Sequence, residues 1–426
     1  MQEDLLHFVW KYQKLPQGAI EGSKGEKIQI QSPGTHNHIA GPDFFNAKIE
    51  IDGQLWAGTV EVHTKASDWY AHGHETDPNY NNVILHLVWE DDVQVFRKDN
   101  SIIPTLELKN LISQSVLNSY QQLLHTSKNK FINCEQDFAS VDEVILNNWL
   151  ERLYIERLEK KSALIFDLLK KSKNDWEKVL FCLLMKNFGL NINGDAFLSI
   201  AIKYDFAIIR KVSNDVLRLE SLLFGSAQLL NSDCTDGYYL NLKREFAFLS
   251  NKFQLANENG VSPDFFGLRP NNFPTIRLSQ IANLYYKNPT IFNRVIKAKS
   301  VVELQTIFET SASSYWDNHY TFGKESKKRK KKLTKEFINL LIINTIIPIK
   351  FCYANYKGVE NSGELIQLIS TIKPEKNSIV TKFDRIGLKT SSALESQSKI
   401  QLYKQYCFKN RCLQCAVGVS LLNRNI

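Results

Sequence analysis

No hydrophobic run in the 426-residue chain is both long and uninterrupted. The longest, residues 337–354, is broken by Asn339, Asn344, Pro348 and Lys350, so it reads as a buried helix rather than a bilayer span. The opening MQEDLLHFVWKYQKL carries acids where an export leader needs bases, and no small-residue cleavage site follows. A cytoplasmic protein with no membrane partner is therefore expected. Cysteine is scarce, with 7 in the chain, and without an export leader these read as thiols or metal ligands in a reducing compartment. There is no internal repeat, which argues against a solenoid or propeller.

The apolar share is 43%, enough at this length for two or more cores. The formal net charge of +8 conceals an asymmetry. Residues 1–110 hold 9 Lys and Arg against 16 Asp and Glu, a balance of −7, and the other 316 residues carry +15. An acidic first part suits cation binding, and a basic second part suits a polyanion such as nucleic acid, although a basic excess also simply keeps a large domain soluble.

Periodicity changes at about residue 110. Leu5, Leu6, Val9 and Tyr12 mark the apolar side of a first helix over residues 2–12. Asn46 to Ile51 alternate as a strand, Asp52-Gly53 is a two-residue hairpin turn, and Leu55 to Thr64 return as a second strand. Val83 to Trp89 form an almost continuous apolar strand, buried on both faces, with shorter extended pieces at 93–96 and 102–108. A crossover helix between Lys65 and Val83 would have to be unusually short. Beyond residue 110, VILNNWLERLYIERLEKKSALIFDLLKKS, DWEKVLFCLLMKNFG and EFINLLIINTII space apolar residues three and four apart. Gly189, Gly225 and Gly267 sit where helices could end.

Chemistry-bearing residues concentrate in the first part. Glu61, His63 and Lys65 share one face of the return strand, because side chains repeat every second residue. Asp43 stands at the mouth of the partner strand, so the two carboxylates can hold a divalent cation between them. Six of the nine histidines, His36, His38, His63, His72, His74 and His86, fall within 51 residues. His72-x-His74 is followed by Asp77, and neutral imidazole is the commonest side-chain ligand for transition metals. Hydrogen bonding to backbone and aromatic neighbours is the alternative for each one taken singly.

At the other end, Cys407-x4-Cys412-x2-Cys415 places three thiols within nine residues, with Cys134 as the natural fourth ligand for Zn2+ or an Fe–S cluster. The run Lys327, Lys328, Arg329, Lys330, Lys331 and Lys332 lies beside aromatics and is either a phosphate-gripping surface or a solvated loop. Arg269 and Arg277 flank the irregular LRPNNFPTIRL segment as further candidates for nucleic-acid contact.

The run GPDFFNAKIEIDGQLWAGTVEVHTK resembles the PD-(D/E)xK motif of restriction-endonuclease-like nucleases, with Pro42-Asp43 as its first half and Glu61-x-His63 as its second. The resemblance implies Asp43 and Glu61 as ligands of Mg2+ or Mn2+, with Glu3 on the first helix as a further one. His63 stands where that family has its water-positioning lysine, and Lys65 lies one pleat further along. The fold it implies is α+β and two-domain: a restriction-endonuclease-like α/β core with a β-hairpin in residues 1–110, then a large irregular all-α domain over 111–426. Hydrolysis of nucleic acid, DNA first, is the activity it implies. The strings AGPDFFNAKI, WAGTVEVHTKASDWYAHGHETD, YNNVILHLV, LRPNNFPTIRL and CFKNRCLQC further resemble a family of bacterial proteins of unknown function, which brings no activity. A noncatalytic nucleic-acid-binding scaffold and a His-rich metallohydrolase acting on another substrate are the other readings.

Overall fold

The computed structural model describes residues 3–16, 18–37, 40–124, 130–255 and 261–424. The protein is mixed α/β, with a seven-stranded sheet near the N-terminus and a large helical region after it. It divides into two compact units. The first comprises Met1–Trp149, Lys382–Leu388 and Leu402–Ile426, and the second Leu150–Thr381 and Lys389–Gln401. The first thus extends past residue 110, and the segment carrying the three clustered cysteines returns to it.

Helix α1, Glu3–Lys11, has acids in its first turn and a lysine in its last, which complements the helix dipole. Leu5, Leu6, Phe8, Val9 and Trp10 are buried, and the helix packs on the sheet. The sheet contains β1 (Ile20–Glu21), β2 (Lys27–Ser32), β3 (Thr35–His36), β4 (Phe44–Ile51), β5 (Gln54–Lys65), β6 (Val83–Glu90) and β7 (Thr105–Glu107). Its order is β1-β2-β4-β5-β6-β7, with β3 also on β4. The β4–β5 pair is antiparallel, whereas β5–β6 and β6–β7 are parallel.

The expected hairpin forms where the sequence placed it. Asp52 and Gly53 both have positive φ, 52° and 83°, as a type I′ turn requires, and Ile51 faces Gln54 across it. Further along, the ladder carries one extra residue. Phe44 faces Val60 while Ala47 faces Gly58, so three steps on β4 match two on β5. Asn46 takes up the difference at φ 58°, a left-handed conformation that asparagine tolerates better than most residues. Continuing the register outward sets Asp43 opposite Glu61.

The parallel crossover from β5 to β6 is short, as anticipated: a four-residue helix α2, Asp68–Ala71, and a 3-10 turn at Pro78–Tyr80. Ser67 donates through both N–H and Oγ to Asp92, and the Trp69 indole donates to the Phe96 carbonyl at 3.2 Å, which pins the crossover down. Residues 83–88 of β6 are fully covered, in keeping with its apolar run. The expected extended piece at 93–96 is reduced to a single Phe96–Ile102 bridge.

In the second unit Trp176–Phe188 begins at Asp175, whose carboxylate accepts from the Lys178 N–H, and ends at Gly189. Gly225 lies within the last turn of Val216–Ser226, and an added Cβ there would stand 2.2 Å from the Phe246 ring, so glycine permits close approach to the helix Gly237–Phe253. The apolar run 337–354 lies in a helical stretch, Lys335–Lys357, that has the length and hydropathy of a bilayer span, with 67% of its most apolar window buried inside the fold. Its wide turn at Ile342–Ile346 precedes Pro348, which has no N–H to contribute to regular helical bonding.

Because Asn46 is exposed, replacing it tests the bulge separately from packing. Asn46→Val, β-branched at positive φ, is expected to lose about 1–2 kcal/mol in denaturant unfolding. If the ladder instead regularises, Phe44 falls opposite Glu61, and a chemical-shift map will show the change confined to residues 43–47 and their β5 partners.

Candidate metal centre

Two strands and the crossover supply the cluster. Glu61 and His63 project from the same face of β5, and His86, in register with Glu61 on β6, lies beside them. All three are buried, at 5%, 2% and 0% exposure. Such burial is costly for polar groups without partners, and here they bond to one another. His63 Nδ1 is 2.8 Å from His86 Nε2, and His63 Nε2 is 3.1 Å from His72 Nδ1. Glu61 Oε1 lies 3.6 Å from His63 Nε2 and 3.4 Å from His74 Nε2. His72 and His74 come from the crossover, and Tyr80 stacks on the His74 ring at 3.8 Å between centroids.

Asp43 joins through the backbone. Its N–H donates to Glu61 Oε2 at 3.1 Å, and its Oδ2 accepts from the Val62 N–H at 3.0 Å. This reciprocal pair locks the mouth of β4 to β5. The same Oδ2 is 3.2 Å from His7 Nε2, brought in by α1. Glu3, one turn earlier on that helix, is half-buried and feels the charges of His7, Asp43 and His72.

Burial governs the titration of these groups. It pushes the Glu61 carboxyl up to about 7, with Asp43 raising it further and the hydrogen bond to His74 opposing. His63 is driven down to about 3, by burial and then by the charges of His74, His72 and His7, and His86 falls to about 3, by burial and then by His63. For His7, burial alone would lower the value, but the bond to Asp43 and the neighbouring acids raise it.

His63, His72 and His74 each offer a ligand atom within 4.8 Å of the others. Zinc–nitrogen bonds of about 2.0–2.1 Å place tetrahedral ligand atoms about 3.3 Å apart. The 3.1 Å between His63 Nε2 and His72 Nδ1 is close to that spacing, and Glu61 Oε1 lies beside the group at 3.6 Å from His63 and 3.4 Å from His74, so the three imidazoles suit a transition metal. His63 and His74 are mostly enclosed, whereas His72 is exposed, so the cluster opens on one side. His86 stands behind His63 and sets its ring, as an outer partner of a ligating imidazole does.

The other candidates separate from this cluster. Lys65 is exposed at the end of β5, and its charge is felt by Asp92. Asp77 caps the 3-10 turn by accepting from the Asn79 N–H at 2.9 Å. His36 stacks on Phe44 with its ring centroid 5.1 Å from that of His7, and His38 lies outside the described residues. Lys327, Lys328, Arg329, Lys330 and Lys332 are exposed. Lys331 is withdrawn: its ammonium donates to the Asp317 carbonyl at 2.8 Å and lies over the Tyr320 ring. Arg269 is exposed, but Arg277 is buried, with its guanidinium 3.6 Å over Phe337 and donating to Gln280 and Asn272. Lys331 and Arg277 thus serve the interior of the second unit.

His7 is the residue that sequence reasoning missed. A signal existed, since Glu3 and His7 are one helical turn apart on the face opposite the apolar stripe of α1.

The protein is thus a mixed α/β chain with a carboxylate–imidazole cluster on the central strands of its sheet. Residues 3–378 match the model of the family described as "Protein of unknown function (DUF2851)", and the chain belongs to that family. The clustered cysteines lie beyond the matched residues. No curated protein and no solved structure matches the chain.

The shifted groups make stability depend on pH in the metal-free protein. Glu61 binds its proton more tightly folded than unfolded, so its contribution is complete below pH 4.5 and is lost as pH rises through about 7. His63 and His86 act oppositely, contributing above pH 6.5 and losing that as pH falls toward about 3. Glu61→Gln, which keeps the acceptor for the Asp43 N–H, should therefore melt higher than the parent at pH 8 in chelator. The difference should vanish at pH 4.5, as read by calorimetry.

Proposed function

We propose that this protein is a metal-dependent phosphodiester hydrolase acting on nucleic acid, with DNA the first candidate. The observation that carries the reading is the convergence of Asp43 and Glu61 across the bulged hairpin, with three imidazoles at ligand spacing beside them. The chain order of α1, the β4–β5 hairpin, a crossover and a parallel β6 supports a PD-(D/E)xK-like core, as does Glu3 on the first helix. The basic balance of residues 111–426 suits a polyanionic substrate.

The donor set bears on which ion is held. Mg2+ prefers oxygen ligands and retained water, whereas imidazole suits Zn2+ and Mn2+ is the Mg2+ substitute more tolerant of nitrogen. Glu61, His63, His72 and His74 would hold it, with Asp43 at the edge. Such an ion supplies a bound water of lowered pKa and polarises a phosphoryl oxygen. Around it, His86 fixes the His63 ring through the 2.8 Å contact, and Asp43 holds His7 at the open side. There His7 shares its Nε2 proton with the Asp43 carboxylate, and the protonated pair can stand beside the phosphate. Lys65 has no place in this scheme.

The deciding experiment incubates full-length protein, stripped and reloaded with Mg2+, Mn2+ or Zn2+, with single- and double-stranded DNA and RNA. Metal affinity is measured alongside by competition titration. Cleavage in Mn2+ or Zn2+, lost in Glu61→Gln and His72→Ala, is the expected result. His86→Leu should weaken metal binding by about 10–100-fold. Tight metal binding without cleavage would move the reading to a metallohydrolase of another substrate, and absent metal binding would remove it altogether.

Nucleic-acid affinity should fall with salt at a slope of about −0.9 per phosphate contact on duplex DNA and about −0.7 on single strands. Neutralising Lys327, Lys328, Arg329 and Lys330 together should flatten that slope in a gel-shift titration. Lys331→Gln should instead lower the melting temperature, since its ammonium is bonded within the fold.

A further inference from the structure

The first unit contains four cysteines, and the fold gathers all four from segments far apart in sequence. Cys134 lies in the loop between α3, Gln114–Leu124, and the helix Glu143–Lys171, while Cys407, Cys412 and Cys415 come from the C-terminal return. Asn133 spans the two segments, donating to Asn410 Oδ1 at 3.2 Å and to Cys412 Sγ at 3.5 Å. Phe131 stacks on Tyr403 and meets Phe383 edge-on. Cys134, Cys412 and Cys415 are buried, and Cys407 is partly so. The remaining cysteines, Cys182, Cys234 and Cys352, are in the second unit.

Backbone donors face the cluster. The helix Ala416–Arg424 starts directly after Cys415, and the N–H groups of Val417 and Gly418 point at its sulfur, as does the Trp149 side chain. N–H donors at a helix start stabilise a thiolate. Gly418 is required there, because an added Cβ would lie 2.2 Å from the Cys412 carbonyl oxygen. Burial pushes the Cys415 thiol up to about 11, and burial with the charges of the other three raises Cys407 well above its usual range. The three enclosed sulfurs and the partly enclosed Cys407 form a donor set at which a metal can displace thiol protons.

Spacing distinguishes the kinds of centre. Sulfurs around one zinc, each at about 2.3 Å, are about 3.8 Å apart. Among the described residues, no three of these sulfurs lie within 4.8 Å of one another, as three ligands of a single zinc would. An iron–sulfur cluster holds its four cysteines further apart, since its own irons and sulfides lie between them. The interval Cys407-x4-Cys412-x2-Cys415 with a fourth cysteine elsewhere is also one used for such clusters.

We propose that Cys134, Cys407, Cys412 and Cys415 ligate an iron–sulfur cluster that staples the C-terminal return into the first unit. The staple reaches the other centre mechanically. Helix α1 packs against the turn Cys412–Gln414, and Tyr120 of α3 donates to Asp4 of α1 at 3.0 Å. Glu3 and His7 ride on that helix. Losing the cluster therefore loosens the element that carries His7 to Asp43.

Full-length protein purified anaerobically should contain iron and acid-labile sulfide, with visible charge-transfer absorption that bleaches on reduction by dithionite. Cys134→Ser and Cys412→Ser should each lose the iron and sulfide, and Cys234→Ser should keep both. Limited proteolysis should then cut the cysteine variants between residues 402 and 416 while the parent resists. Because the parent's own metal content decides the matter, a variant that fails to fold leaves the test intact. Stoichiometric zinc without sulfide would replace the proposal with a mononuclear site, and no metal with four free thiols by alkylation would end it. Neither outcome touches the imidazole centre, whose metal binding is read separately.

Discussion

One extra residue in one strand sets the geometry of the carboxylate pair. In a regular antiparallel ladder the pairing of Ala47 with Gly58 would continue to put Phe44 opposite Glu61. The bulge at Asn46 shifts the count by one, so Phe44 faces Val60 and is buried, while Asp43 comes to face Glu61. The two backbone-to-carboxylate bonds then hold that alignment, each acid accepting an N–H from the other's strand. Hydrophobic burial and acid placement are satisfied together only in this register.

The cluster that results is stable as a fold element only in particular protonation states. Three imidazoles and a carboxylate in a largely closed site cannot all carry charge. Burial drives His63 and His86 to the neutral form and raises Glu61 toward it. A neutral imidazole keeps one ring nitrogen free to accept, so His63 and His86 can share a hydrogen bond without carrying charge. The same burial leaves His86 Nδ1 without a partner, a local cost accepted behind His63.

What could be read from the sequence was local. The I′ turn at Asp52-Gly53, the alternation of Glu61 and His63, and the covered run of β6 all follow from rules spanning a few residues. Asp43 and Glu61 were legible as partners because the hairpin between them was. His7 was not, since its role depends on how α1 lies across the sheet, which no local pattern encodes. Arg277 and Lys331 misled for a related reason: a basic side chain looks like a surface contact until a specific ring and carbonyl are found to enclose it. The return of the cysteine segment to the first unit was likewise invisible, because 273 positions separate Cys134 from Cys407.

The short crossover explains why the imidazoles meet at one end of the central strands. A full-length helix between β5 and β6 would lie along the sheet face and carry residues 72–74 away from the strand ends. With four residues in α2, the chain turns at once and keeps His72 and His74 above the carboxyl end of β5. That end, beside a parallel neighbour, is where open α/β sheets place their ligands. β4 runs antiparallel to β5, so its amino end and Asp43 fall at the same end. Strand direction thus gathers Asp43, Glu61 and His63, and crossover length adds His72 and His74. Rigid strands fix the first three, and the pins at Ser67 and Trp69 hold the loop that brings the other two.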